Sequence, residues 1–72
     1  MAFMKGDKVF YVNKEQKIVP AIVENVRSND VVDVYLSETL KIPVSELKLF
    51  RTINAANCAA NYYSNLKVNQ HA

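Results

Sequence analysis

The sequence holds one glycine, one cysteine, one histidine, two prolines and no tryptophan in 72 residues. Each scarcity excludes something. A lone cysteine, Cys58, permits no disulfide within the chain, and with only His71 to join it no zinc cluster is expected. A single glycine leaves no glycine-rich loop to cradle phosphate. No Ser-His-Asp set and no carboxylate pair at an acid–base spacing is visible, so an enzyme is not expected and no cofactor is implied. No segment approaches the roughly 20 apolar residues that span a bilayer, and the opening MAFMKGDK lacks the apolar stretch of a secretory leader. The expectation is a cytoplasmic protein with no membrane partner.

What the chain does contain is apolar residues, which make up 50% of it, ample for a small core. Its length suits one domain over residues 1–72. Nine lysines and arginines against seven acids give a net charge of +2, which tolerates a nucleic-acid partner without demanding one.

Short alternating runs dominate the first 50 residues. Gly6-Asp7 reads as a turn into Lys8–Val12, where Val9 and Tyr11 share one face and Phe10 and Val12 the other. Asn13–Lys17 is polar and reads as a hairpin loop. The next run, Ile18–Val26, places Val19, Ala21 and Val23 on one face and Pro20, Ile22 and Glu24 on the other. Pro20 has no amide proton, so it belongs near a strand start or on an edge. Val26 breaks the parity of the inward valines, and its burial requires a bulge near Glu24-Asn25. Ser28-Asn29-Asp30 reads as a turn. In the third run Val32, Val34 and Leu36 point inward, and Val31, Asp33 and Tyr35 outward. Ser37-Glu38-Thr39 turns the chain into Leu40-Lys41-Ile42. Ser45 is placed to cap a single helical turn, and Lys48–Phe50 to close the sheet as a fifth strand.

From Thr52, a candidate N-cap, the pattern becomes helical over 52–68. Asn54, Asn57, Asn61, Asn65 and Asn69 fall on one stripe. Ala55, Ala56, Ala59, Ala60, Tyr63 and Leu66 gather on the opposite side. Asparagine is a mediocre helix former, so this helix needs a surface to pack on.

The pattern Gly6-Asp7-x-Val9, Ala21-x-Val23, Val32-x-Val34-x-Leu36 and Ile42-Pro43-Val44-Ser45-Glu46-Leu47 resembles a Tudor-type SH3-like barrel over residues 6–50. The resemblance implies a mainly β fold, a five-stranded SH3-like (Tudor-type) barrel here followed by one C-terminal α-helix. It also implies an adaptor role, often the capture of methylated Lys or Arg in an aromatic cage. The loop NKEQK and the turn SET carry no aromatic where such a cage is built, so a methylated ligand is not expected. The glycines that related KOW-motif barrels carry in the first hairpin are absent as well.

Phe10 and Tyr35 are the outward aromatics and candidate partner contacts, although an exposed aromatic patch is costly and the C-terminal helix is expected to cover both. Tyr62 and Tyr63 are further candidates, expected to anchor the helix with buried rings and wet hydroxyls. Lys14, Lys17, Arg27 and Lys41 form a candidate phosphate-binding edge, diluted by interspersed glutamates. Cys58 lies on the asparagine side with no neighbouring cation to activate it, and His71 sits at a fraying end. The leading expectation is a non-enzymatic protein-interaction module, an adaptor or modulator of a larger machine. Its small size suits an accessory or inhibitory protein of a phage or mobile element. The alternatives are a nucleic-acid-binding barrel using the basic edge, and a homodimer or larger homo-oligomer assembled through the helix.

Overall fold

A computed structural model describes residues 3–27 and 30–71, with side chains as far as residue 65. The chain runs β1 (Lys8–Val12), β2 (Ile18–Val26), β3 (Val31–Tyr35), β4 (Lys41–Ser45), a 3₁₀ turn (Glu46–Lys48), β5 (Leu49–Phe50) and α1 (Ile53–His71). The strands form one antiparallel sheet in the order β4-β3-β2-β1-β5. The fold is therefore mainly β with a C-terminal helix, as expected. Among the described residues no helix is long and apolar enough to cross a membrane.

Valine supplies most of the core because a β-branched side chain fits a pleated surface and loses little rotamer freedom there. Val9, Ala21, Val23, Val32, Val34, Val44 and Leu49 form one buried cluster drawn from all five strands. Val44 and Leu49 belong to the two outermost strands, so the sheet must roll until its edges share a core. The result is barrel-like. A cleft of about 260 Å³ marks the seam, lined by the end of β1 and its loop on one side and by Pro43, Val44 and Ser45 on the other.

The bulge required by Val26 is present. Ile22 and Val23 pair with Tyr35 and Val34, then the register slips so that Asn25 and Val26 pair with Asp33 and Val32. Glu24 is the extra residue. It restores Val26 to the inner face, where it packs against the core. Pro20 also lies where its chemistry demands. It pairs with Phe10 on β1, but β3 begins to pair with β2 only at Ile22, so no strand needs the missing Pro20 amide.

Local polar contacts set the turns. Gly6 has φ of 92°, a conformation that disfavours any residue with a Cβ. The Asn13 carboxamide oxygen accepts from the amides of Glu15 and Lys17 at 3.0 and 2.9 Å, which closes the first hairpin. Ser45 Oγ accepts from the Leu47 amide at 3.2 Å, giving the expected capped turn. Thr52 Oγ1 accepts from the Ala55 amide at 3.1 Å, which makes Thr52 the expected N-cap of α1. The helix extends beyond the expected 52–68 to His71. The turn expected at Ser28 and Asn29 lies outside the described residues, as do the side chains of Leu66, Asn69 and His71.

The helix lies on the outer face of the sheet, not in the core. Ala56 and Ala60 are buried with Val12, and Phe10, Ile18, Phe50 and Tyr63 pack around them. Small side chains let the helix backbone approach the strands closely. Two helix assignments change: Ala55 and Tyr62 are exposed rather than turned to the sheet. They lie roughly 100–130° from the Ala56–Ala60–Tyr63 line at the helical repeat, too far round to reach it. Asn54, Asn57, Asn61, Asn65 and Cys58 are exposed, as their stripe implied.

Candidate functional site

The helix covers only part of the outer sheet face. Its footprint spans Val12, Ile18, Phe50 and one side of Phe10. Beyond it the same face continues with Pro20, Ile22 and Tyr35, and there no helix lies over them among the described residues. Cross-strand pairing places Phe10 opposite Pro20, and Ile22 opposite Tyr35, so four apolar side chains adjoin on three strands. Ile22 is 46% exposed and Tyr35 38%. They floor a groove of about 580 Å³ whose rim includes Lys8 on β1 and Ser37 and Glu38 in the turn after β3.

Tyr35 therefore departs from expectation. It does not lie beneath the helix with Phe10; the helix packs on β1, β5 and the start of β2, and no β3 residue belongs to its footprint. The ring is braced from its other side. Lys41, paired with Tyr35 across β3 and β4, holds its Nζ 5.8 Å from the ring centroid. That ammonium is 3.6 Å from Glu24 Oε1, and Glu24 Oε2 is 3.6 Å from Lys5 Nζ. The bulge residue Glu24, half-buried, thus supplies the anion beside Lys41.

The other candidate residues are scattered. Tyr63 is half-buried at the helix–sheet junction, where Lys48 Nζ sits 3.5 Å from its ring centroid. Tyr62 meets Tyr63 edge-on, with centroids 5.7 Å apart, and is 60% exposed. Neither lines the groove. Lys14 and Lys17 occupy the first hairpin loop, and Arg27 follows the far end of β2, about 30 Å away along an extended strand. Arg27 is engaged by Asp33 and Lys41 by Glu24. The four cations do not form one edge.

Other features are structural in character. Among the described residues no group of three His, Cys, Asp or Glu side chains could hold a metal. Glu46 and Asp30 adjoin, the Glu46 amide donating to the Asp30 carbonyl at 2.9 Å. Partial burial, followed by a hydrogen bond to Asp30 and the repulsion of its charge, raises the Glu46 carboxyl above its ordinary value of 4.5. The open edge strand β4 is blunted. The Leu36 amide donates to the Leu40 carbonyl at 2.8 Å, and the resulting alternation turns the Pro43 nitrogen away from β3, where an edge amide would otherwise point outward.

The residues missed by sequence reasoning are Pro20 and Ile22. Their parity was legible, but no local signal shows that the helix stops short of them. The geometry defines a small rolled-sheet domain with one helix and an apolar groove beside it. Comparison with models of known protein families, with curated proteins and with solved structures finds no match.

Proposed function

We propose that this chain is a non-enzymatic protein-interaction module on an SH3-like, Tudor-type barrel without an aromatic cage. It acts as an adaptor or modulator of a larger assembly and binds its partner through the Phe10–Pro20–Ile22–Tyr35 groove. The observation that carries the reading is that groove's exposure. A domain this small needs its apolar residues for its own core, yet it leaves an isoleucine and a braced tyrosine together at the surface. Apolar groups gathered in a groove give a partner area to bury, and a tyrosine held in one orientation loses little entropy on binding.

The test is capture from native lysate with wild-type chain, Ile22→Glu and Tyr35→Ala in parallel. Both positions face solvent, so each variant should melt within a few degrees of wild type. A protein retained by the wild type should be lost with Ile22→Glu and weakened with Tyr35→Ala. A partner retained equally by all three would place the contact elsewhere and refute the reading.

A further inference from the structure

The groove has polarity as well as apolar area. Lys8 and Glu38 stand on its two flanks, one on β1 and one in the turn after β3. Lys8 lies opposite Ile22, which lies opposite Tyr35, and Glu38 follows Tyr35 by three residues, so the flanks are two strand spacings, about 10 Å, apart across the sheet, with Glu38 set further along the strand direction. Among the described residues neither side chain enters an ion pair or hydrogen bond, whereas the neighbouring Lys5, Glu24 and Lys41 are tied to one another. Two unpaired charges of opposite sign therefore stand at diagonal ends of an apolar floor.

We propose that the groove takes an extended peptide segment lying across the strands, with an acidic residue over Lys8, a basic residue over Glu38, and apolar residues between them. At about 3.3 Å per extended residue, a diagonal span somewhat over about 10 Å sets the two charges about four positions apart. The inner side chains fill the space over Pro20, Ile22 and Tyr35. The charged ends select among apolar peptides, because like charges placed over either flank are repelled. This assignment rests on the groove being a protein-binding site.

The test uses three capped pentapeptides sharing a Leu-Ile-Leu centre: one with Glu and Arg ends, one with Glu at both ends, and one with Arg at both. Binding is followed by amide chemical shifts at low and moderate salt. The mixed peptide should bind the wild type about three- to fivefold more tightly than either like-charged one, the scale of one exposed ion pair, with the preference shrinking as salt rises. Lys8→Glu should transfer the preference to the doubly basic peptide, and Glu38→Lys to the doubly acidic one. Ile22→Glu should remove binding of all three. Equal affinities that Ile22→Glu still abolishes would overturn the charge assignment and leave the groove standing. Shifts absent from the groove, or untouched by Ile22→Glu, would overturn both, whereas self-association of the chain through the groove would overturn the peptide assignment alone.

Discussion

Among the described residues, Arg27 and Asp33 form the one ion pair whose acid is buried: Arg27 Nε lies 3.0 Å from Asp33 Oδ2, and Asp33 is only 6% exposed. Asp33 alternates outward between Val32 and Val34, as the sequence implied, but its carboxylate is not in free solvent. The register slip at Glu24 sets Asp33 opposite Asn25, and the hairpin brings Arg27 over it. A cation that reads as a phosphate contact in the sequence is thus engaged by the fold.

Removing that guanidinium leaves a buried acceptor short of its charged partner. Arg27→Met should destabilise the domain by about 1–2 kcal/mol, at the lower end of the range because the Arg27 side chain is half exposed. Urea denaturation checks this. A loss as small as that of an ordinary surface substitution would show that the pair contributes nothing.

Two adjacent alanines should respond in opposite ways. Ala56 is fully buried between the helix and Val12, so Ala56→Leu overpacks the junction and should cost about 1–3 kcal/mol. Ala55 is exposed, and Ala55→Leu should change stability by no more than about 0.5 kcal/mol. Thermal melts of the two variants decide it, and equal melting temperatures would show that the helix does not dock on this face.

Glu46 should give the domain a distinctive pH response. Its carboxyl titrates above the ordinary 4.5 when folded, so the native state holds this proton more tightly than the unfolded chain. Stability from this group is therefore full below that value and lost as pH rises through the raised one. Glu46→Gln removes the loss. The variant should gain on the wild type between pH 4 and pH 7 in parallel denaturation series, and a gap that narrows with rising pH would contradict the assignment.

The strands, the turns and the bulge were legible because each has a local cause. Period-two alternation of valines marks β1 to β3, Asn13 and Ser45 carry their own turn chemistry, and the broken parity at Val26 requires an extra residue in β2. The extent of the helix footprint was not legible. Phe10 and Tyr35 look alike in sequence, each an outward aromatic on a strand, yet one is packed under α1 and the other is open. Arg27 and Lys41 likewise look like any surface cations until pairing brings Asp33 and Glu24 to them.

By itself the sequence determined a five-stranded sheet with a capped C-terminal helix, because hydrophobic period, turn residues and caps act over a few neighbouring positions. Only the tertiary structure decided which outward residues are covered. That depends on where a helix launched at Thr52 crosses a rolled sheet, a relation between segments far apart in the chain. The groove over Pro20, Ile22 and Tyr35 exists because α1 packs on β1, β5 and the start of β2 and leaves the rest of the β2 face and β3 open.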